Sequence, residues 1–264
     1  MRFNRGVVYA ATQSSSYLWE AFLSAESIKR VLPEMPITLF TDQPEHVLCS
    51  FGVFDQTEYL SSASGSHIGR ALLNRASALL RSPYEHTLHL DTDTLVLTPE
   101  LQSLFERYRC VDVAMVEDSI EISYTRLTLG RRMYNGGVIL FQKAENTISW
   151  LQEWSSISAR NFRAAAEMNL PEIPFVSHVS NMADRRKLLR SDQTSLTEIL
   201  SPETNKLGLI FEALESQWNY RVRRIRPDAL PNNAGILHGR YEQSDRIEAL
   251  RTAVARVISK DQPS

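Results

Sequence analysis

Cysteine is scarce in this chain, which has only two cysteines, Cys49 and Cys110, among 264 residues. Two cysteines are too few for a disulfide scaffold, and neither lies in a metal-ligand motif. We expect both to be reduced thiols, as in cytosolic proteins. An excess of charge of one sign is also missing, since 29 Lys and Arg face 31 Asp and Glu. The net charge of -2 gives no overall attraction to nucleic acid or anionic lipid, and we expect no nucleic-acid partner.

Long hydrophobic runs and internal repeats are absent as well. No apolar stretch approaches the ~18 residues of a membrane span, and the first apolar run is too short for a signal peptide. No segment repeats at a fixed period, which excludes solenoids and propellers. With 43% hydrophobic and 23% charged residues, the composition is that of an ordinary globular protein, and we expect a soluble, cytoplasmic chain.

Short apolar runs alternate with amphipathic stretches along the chain. Strands are predicted at residues 7–11, 37–41, 87–90, 111–116 and 138–141, and helices at 18–32, 68–80, 147–155 and 244–257. Residues 160–189 have the weakest pattern, which indicates a helix plus loops. This alternation favours an α/β fold, with a largely parallel sheet covered on both faces and ligands bound beyond the carboxyl ends of its strands.

The most informative segment is LHLDTDTLVL, in which Asp91 and Asp93 stand between two apolar runs. Side chains alternate in an extended segment, so both carboxylates face the same side. Like charges at this spacing repel unless a cation lies between them, and carboxylate oxygens suit Mg²⁺ or Mn²⁺. The alternative is a polar turn between two strands, with both acids solvated.

LHLDTDTLVL resembles the metal-binding DxD segment of GT-A fold glycosyltransferases, and further segments match in the same order: VVYAAT, an arginine in the helix before the DxD segment, YNGGVILF, SDQTSL and ILHG. Together they resemble glycosyltransferase family 8, which includes glycogenin and bacterial galactosyltransferases, over residues 7–240. The resemblance implies a GT-A fold, with a Rossmann-like, mixed and mostly parallel sheet, in one domain over residues 1–264. Residues 1–97 would bind the nucleotide, 98–240 the sugar and the acceptor, and 241–264 would form a carboxyl-terminal helix.

The resemblance also implies an activity: metal-dependent transfer of a sugar, with retention of its anomeric configuration, from a UDP-linked donor. The acceptor stays open among sugars, glycans, lipids and small molecules, and so does the oligomeric state. Mn²⁺ or Mg²⁺ would be held by Asp91, Asp93 and His238, with His238 offering a neutral imidazole nitrogen. Without the resemblance, His238 is interpreted as a plain loop residue after a strand.

Other donor-binding residues implied by the resemblance follow the first strand or flank the metal ligands: Ala10, Thr12, Tyr17, Thr92 and Gly239. Tyr17 would stack on the base, although it fits a core position of its helix equally well. Asp42, after the second strand, is a candidate for the base or ribose, but a turn or helix cap is the preferred interpretation.

Arginines would contact the donor diphosphate. Arg75 stands where relatives carry a basic residue, although a solvated helix face is an equal alternative. Relatives show His-x-x-Gly-x-x-Lys where this chain has His238-Gly239-Arg240, and Arg240 is the expected substitute for the lysine. The basic run at 221–226 is interpreted as a solvated edge strand, with an anionic acceptor or the donor phosphates as its first ligands if it binds any.

The sugar end of the site is assigned to Asn135, Gly136, Gly137, Asp192 and Gln193. The resemblance implies that Asn135 hydrogen-bonds to sugar hydroxyls and that the glycines allow close approach of the backbone. It also implies that Asp192 and Gln193 lie near the anomeric carbon. The alternatives are an Asn-Gly hairpin turn for the first group and, for the second, a helix N-cap at Ser191 or Asp192. Trp218 and Asn219 stand where an acceptor could bind, although a tryptophan at this position also fits the core.

Two other functions compete with the transferase. A haloacid-dehalogenase-type phosphohydrolase would use Asp91 as its nucleophile, but its motif normally follows the first strand and needs a later acidic pair that the chain lacks. A catalytically silent nucleotide-sugar-binding protein would not need Asp91, Asp93, Asp192 and His238 together.

Overall fold

Ten strands are present in the computed structural model, which describes residues 4–43, 52–61, 67–117, 133–167, 179–200, 207–221 and 233–239. They are β1 (Arg5–Ala11), β2 (Ile37–Thr41), β3 (Gln56–Tyr59), β4 (His86–Leu90), β5 (Thr94–Val96), β6 (Val113–Glu117), β7 (Tyr134–Gln142), β8 (Phe211–Leu214), β9 (Tyr220–Arg221) and β10 (Ile236–His238). Seven form one sheet in the order β3-β2-β1-β4-β7-β6-β8. Its neighbouring strands are parallel except around β7, which runs antiparallel to β4 and β6. The predicted mixed, mostly parallel sheet is confirmed.

Six α-helices accompany this sheet within the described ranges. They are α1 (Ser15–Val31), α2 (His67–Leu80), α3 (Leu101–Arg107), α4 (Glu145–Glu167), α5 (Met182–Leu189) and α6 (Asp192–Leu200). No described helix combines the length and apolar character that crossing a membrane requires.

Helices cover both faces of the sheet because the side chains of its buried strands alternate between them. Val7 and Tyr9 of β1 belong to a hydrophobic cluster that includes the buried residues of α1. Val8, between them, belongs to a second cluster with Trp150 and Trp154 of α4 and with residues of α2 and α6. This two-sided core explains why the strands read as near-continuous apolar runs.

The connection from β1 to α1 is set by a turn and an N-cap. Gln13 has a φ of 75°, and the carboxylate of Asp42 accepts from its backbone N at 2.9 and 3.1 Å. Asp42 is therefore a turn cap, as preferred from the sequence, and it stabilises the left-handed residue. Ser14 caps α1, with its hydroxyl accepting from the N of Ser16 at 3.2 Å.

A smaller sheet stands beside the main one, and the sequence did not indicate that its short strands form a sheet of their own. Its order is β5-β10-β9, with β10 antiparallel to β5 and parallel to β9. A short 3₁₀ helix, Ser216–Asn219, leads into β9. The chain therefore passes from the main sheet into the small one between the end of β4 at Leu90 and the start of β5 at Thr94.

Several predicted boundaries differ from the observed ones. The helix predicted at 147–155 extends over Glu145–Glu167, and the strand predicted at 138–141 already begins at Tyr134. The weakly patterned region contains the end of α4 and the whole of α5, so its predicted helical part is confirmed. The predicted helix at 244–257 lies outside the described residues.

Candidate active site

The two acids of the DxD segment lie in the turn between the two sheets. Leu90 is paired with Val138 of β7, and the N of Asp91 continues this pairing by donating to the O of Gly137 at 2.8 Å. Thr94 closes the turn, because its Oγ1 donates to the O of Asp91 at 2.8 Å. The polar turn of the alternative interpretation is thus present, but its acids are only partly exposed, since the side chains of Asp91 and Asp93 are 21% and 16% exposed.

Antiparallel pairing of β10 with β5 brings His238 to these acids. His238 stands opposite Thr94, and the N of Gly239 donates to the O of Asp93 at 3.0 Å. The Nε2 of His238 lies 3.3 Å from Asp93 Oδ1 and 3.6 Å from Asp91 Oδ2. One possible ligand atom from each residue falls within 4.8 Å of the others.

The donor atoms of this group fit a divalent cation. In the neutral form with the proton on Nδ1, three lone-pair-bearing atoms face one another, an arrangement that is unfavourable unless a cation lies among them. Two carboxylate oxygens and one imidazole nitrogen suit Mn²⁺ and leave positions for further oxygen ligands. The structure therefore brings together the three residues that the resemblance implies as metal ligands.

Arg75 connects the first acid to the helix α6. One guanidinium nitrogen lies 2.7 Å from Asp91 Oδ1, and another donates to Asp192 Oδ2 at 2.7 Å. The Arg75 side chain is only 15% exposed, so the alternative of a solvated helix face is wrong. Burial alone would lower the pKa of Arg75, but the charges of Asp91, Asp192 and Asp93 raise it above its ordinary value.

The buried His89 of β4 lies behind Asp91. The Nδ1 of His89 lies 3.1 Å from the O of Val8, and its Nε2 lies 3.6 Å from Asp91 Oδ1. Burial raises the pKa of Asp91, but Arg75 and then His89 outweigh it and bring that pKa well below its usual range. Burial also lowers the pKa of His89. Asp91 is therefore held as a carboxylate.

Asn135, Gly136 and Gly137 lie inside β7, so the alternative of a hairpin turn is wrong. Their glycines serve close packing. A Cβ on Gly136 would lie 2.9 Å from Asp192 Oδ2, and one on Gly137 only 2.2 Å from the Cε1 of His238. The buried Asn135 accepts from the N of Gly137 at its Oδ1, at 2.8 Å.

Asp192 is the first residue of α6, within its first turn rather than at the N-cap position, and it also faces the site. Its Oδ1 accepts from the N of Gln193 at 3.0 Å, while Oδ2 is bound by Arg75. One carboxylate thus contributes to the helix start and to the site at once.

Nearly all the predicted site residues line one cleft of about 320 Å³. The predicted residues that line it are Ala10, Thr12, Tyr17, Arg75, Asp91, Thr92, Asp93, Asn135, Gly136, Gly137, Asp192, Gln193 and His238. Tyr17 both lines the cleft and packs against the core, so its two interpretations are compatible. Gly239 lies beside Asp93 through its backbone, and Arg240 falls outside the described residues.

Two lining residues were not assigned to the site from the sequence. Glu20 of α1 accepts from Thr92 Oγ1 at 2.9 Å. Glu20 is the sixth residue of the helix, and the helical pattern carried no signal of this contact. Arg221, from the basic run, is the register partner of His238 in the parallel pair β9–β10. Within the described ranges Arg221 has no carboxylate partner, and it lies in β9 at the edge of the small sheet. Residues 222–226 of the predicted edge strand lie outside the described residues.

Trp218 and Asn219 do not line this cleft among the residues described. Trp218 is buried, and a Cβ on Gly235 would lie 2.6 Å from its ring, so the core interpretation is confirmed. Asn219 is also buried, and its Oδ1 lies 2.7 Å from the Nδ1 of His238. The sequence offered no signal of this contact, because it joins elements that meet only in the folded chain.

No protein-family model and no curated protein matches the chain. Solved structures do match it. The galactosyltransferase LgtC, solved with donor and acceptor sugar analogues, has 13% identity and a TM-score of 0.57, covering 98% of this chain and 97% of LgtC. Mouse xyloside xylosyltransferase 1 has 13% identity and a TM-score of 0.53, covering 90% and 98% of the two chains. The glycosyltransferase GlyE of Streptococcus pneumoniae has 17% identity and a TM-score of 0.53, covering 98% of this chain and 66% of GlyE. The fold of this protein is that of the GT-A glycosyltransferases.

Proposed function

We propose that this protein is a metal-dependent glycosyltransferase that transfers a sugar from a UDP-linked donor to an acceptor. One observation carries the proposal: Asp91, Asp93 and His238 converge within 4.8 Å, in a cleft that Asp192 also lines. This is a cation site beside a polar pocket, at the carboxyl end of β4, where α/β sheets bind their ligands. The fold shared with sugar transferases supports the same reaction class.

The nucleotide is assigned to the first part of the chain, residues 1–97, and the sugar and acceptor to residues 98–240. Ala10, Thr12 and Tyr17 line the cleft at the end of β1, where the side chain of Tyr17 offers a face to a base. Asn135, Asp192 and Gln193 line it from β7 and α6, so the sugar would lie near them.

The donor diphosphate is expected between these two ends, close to the metal ligands. When bound there, Mn²⁺ or Mg²⁺ supplies a Lewis acid that offsets the charge of the nucleoside-diphosphate leaving group. Arg221 lines the cleft beside His238 and adds positive charge where phosphates would lie. Arg240 remains the predicted substitute for the lysine of the family. Arg75 holds two carboxylates, and its predicted contact with the diphosphate stays a prediction.

Asp192 is the group proposed to face the anomeric carbon. Arg75 fixes its Oδ2, and Gly136 leaves room for that atom, because a Cβ on Gly136 would lie 2.9 Å from it. Retention of the anomeric configuration is part of the proposal and rests on the resemblance alone.

The phosphohydrolase alternative receives less support from the geometry. An aspartyl nucleophile needs an oxygen free to attack phosphorus. Asp91 Oδ1 is bound by Arg75 at 2.7 Å, and Oδ2 faces His238 at 3.6 Å. Both oxygens of Asp91 are therefore oriented by cationic or metal-ligating side chains.

Thermal denaturation with UDP, with and without Mn²⁺, tests the proposal. A ligand at 100 times its Kd stabilises the folded state by about 2.7 kcal/mol, so UDP should raise the Tm only when Mn²⁺ is present. Asp93→Ala should abolish this rise. Glu85→Ala is the control, because Glu85 is exposed and precedes β4 at the end away from the cleft.

Hydrolysis of UDP-sugars without an acceptor separates an enzyme from a silent binding protein. We expect Mn²⁺-dependent release of UDP that Asp93→Ala and Asp192→Asn remove and Glu85→Ala keeps. Equal stabilisation by UDP in the presence and absence of Mn²⁺, or unchanged activity of Asp93→Ala, would contradict the metal-dependent reaction.

A further inference from the structure

We infer that Asn219 is a positioning residue that fixes the tautomer of His238, and that it links the metal site to the sugar pocket through Asn135. The inference deepens the proposed function and rests on it for the identity of the cation. It is carried by three buried polar residues, Asn135, Asn219 and His238, which are 3%, 4% and 5% exposed. Asn219 touches neither cation nor sugar and would act only through its two neighbours.

A backbone amide determines which atom donates and which accepts in each of these hydrogen bonds. The N–H of Gly137 can only donate, so the atom 2.8 Å from it is the oxygen Oδ1 of Asn135. That same oxygen lies 2.9 Å from the amide of Asn219, which must therefore present its donor, Nδ2. The two amide orientations follow from this one backbone group.

The proton position on His238 follows in turn. Because Nδ2 of Asn219 faces Asn135, its Oδ1 faces the Nδ1 of His238, at 2.7 Å. A carbonyl oxygen can only accept, so Nδ1 carries the proton and Nε2 of the neutral ring carries the lone pair. Nε2 is the atom that faces Asp91 and Asp93. The buried amide thus directs the lone pair of His238 to the proposed cation.

The same amide determines what Asn135 offers to the cleft. Its Oδ1 is occupied by Gly137 and by Asn219, and the described residues provide no acceptor for its Nδ2. Asn135 lines the cleft, so its remaining polar group is a donor for a hydroxyl oxygen of the sugar. Loss of Asn219 should therefore disturb two ligands at once.

Two substitutions of Asn219 separate its two contacts. Asn219→Leu removes both, whereas Asn219→Asp keeps an oxygen for Nδ1–H of His238 and loses the donor to Asn135. Asn135 cannot compensate by rotating its amide, because its Nδ2 would then face the N–H of Gly137. Asn161→Leu is the matched control, since Asn161 is also a buried asparagine but does not line the cleft.

The first measurement is the ¹⁵N spectrum of the histidine rings, with the His238 signals identified by their loss in His238→Gln. We expect the Nδ1–H tautomer in the wild type, Asn161→Leu and Asn219→Asp, and its loss in Asn219→Leu. An Nε2–H tautomer in the wild type, or an unchanged ring spectrum in Asn219→Leu, would overturn the inference.

The second measurement is binding of Mn²⁺ alone, followed by electron paramagnetic resonance. Loss of a group that orients a ligating histidine weakens metal binding about 10–100-fold, so we expect this for Asn219→Leu but near-wild-type binding for Asn219→Asp. Asn219→Asp should instead weaken the binding of UDP-sugar more than the binding of UDP. If the wild type shows the Nδ1–H tautomer but binds no Mn²⁺, the proposed cation site fails and the tautomer assignment stands. If Mn²⁺ binding depends on Asp93 but not on Asn219, the proposed function stands and the inference fails.

Discussion

At the scale of single residues, the space around His238 is provided by a glycine. A Cβ on Gly137 would lie 2.2 Å from the Cε1 and 2.7 Å from the Nδ1 of the imidazole. Two heavy atoms this close would overlap, so the ring of His238 would be displaced. Gly137 thus constrains the candidate metal site even though it contributes no ligand atom.

Gly137→Ala should therefore lose metal binding before it loses its fold. We expect Mn²⁺ affinity to fall at least about 10-fold, because the displaced ring no longer aligns with the two acids. Overpacking should also cost about 1–3 kcal/mol of unfolding free energy. Paramagnetic resonance titration and urea denaturation measure both effects. Gly52→Ala is the control, because a Cβ there would meet nothing within 4 Å, and equal Mn²⁺ binding by the two variants would contradict the prediction.

Arg75 is the residue whose loss should cost the most stability around the cleft. It binds Asp91 and Asp192, whose side chains are 21% and 17% exposed. Both carboxylates would therefore lose the guanidinium that neutralises them. Breaking a buried ion pair from one side costs about 3–5 kcal/mol, which we expect for Arg75→Gln in the presence of EDTA.

The control for Arg75→Gln is Arg81→Gln. Arg81 binds Glu58 at 2.7 Å, but its side chain is 47% exposed, and exposed pairs contribute only about 0–1 kcal/mol. Urea denaturation compares the two variants with the wild type. Equal losses in both would show that Arg75 acts as an ordinary surface arginine.

At the scale of elements, Tyr84 ties the main sheet together from the loop before β4. Its OH lies 2.7 Å from Thr38 Oγ1 of β2, and its ring fills the space above Gly6 of β1, where a Cβ would lie 2.4 Å from Cζ. Burial raises the pKa of Tyr84 to about 12. The phenol is therefore favoured in its neutral form by the folded chain.

This raised pKa predicts a loss of stability in alkali. An unfolded tyrosine ionises near pH 10, so the contribution of Tyr84 is complete below about pH 10 and is lost as the pH rises towards 12. Tyr84→Phe should cost about 1 kcal/mol at pH 7, for the hydrogen bond to Thr38, and lose less stability than the wild type between pH 10 and 11.5. Urea denaturation across this range measures the difference, and parallel pH profiles would contradict the assignment.

The elements themselves were largely predictable because their signals are local. Ile37–Thr41 forms β2 where the sequence predicts a strand, and α1 covers its predicted range up to Val31, since β-branched runs and helical periodicity act over a few residues. The start of β7 was missed because Asn135-Gly136-Gly137 has the composition of a turn. Its extended conformation depends on pairing with β4 and β6, which lie far away in sequence.

The site was predictable for its ligands but not for the residues that support them. Asp91 and Asp93 stand out by their spacing between two apolar runs, whereas His238 was singled out by the resemblance of its segment to a known motif. The bridge of Arg75 to Asp192 and the contact of Asn219 with His238 arise from tertiary packing between elements that no local pattern connects.

At the scale of the whole molecule, the proposed cation would join the two sheets. Asp91 extends from β4 of the main sheet, whereas His238 belongs to β10 of the small one. Ligand binding stabilises every conformation in which its contacts are intact. A cation held by both residues should therefore slow the separation of the small sheet from the main one.

Hydrogen exchange followed by mass spectrometry tests this coupling. At Mn²⁺ concentrations of 100 times Kd, exchange through opening of the small sheet should slow by about 100-fold. We expect the protection in peptides covering β5 and β10 but not in β3, at the far edge of the main sheet. Asp93→Ala should lose it and Glu85→Ala should keep it. Equal protection of β3 would show a general effect of the ion rather than a link between sheets.

The reversed direction of β7 also leaves room for evolutionary change. Glu117, the last residue of β6, pairs with Tyr134, the first of β7, and Asn135 of the cleft follows directly. Insertions or deletions between Glu117 and Tyr134 would thus begin and end at the rim of the cleft and leave the strand register untouched. The number of residues at this junction can therefore change beside the cleft, while β4 and β7 keep Asp91 and Asn135 in place.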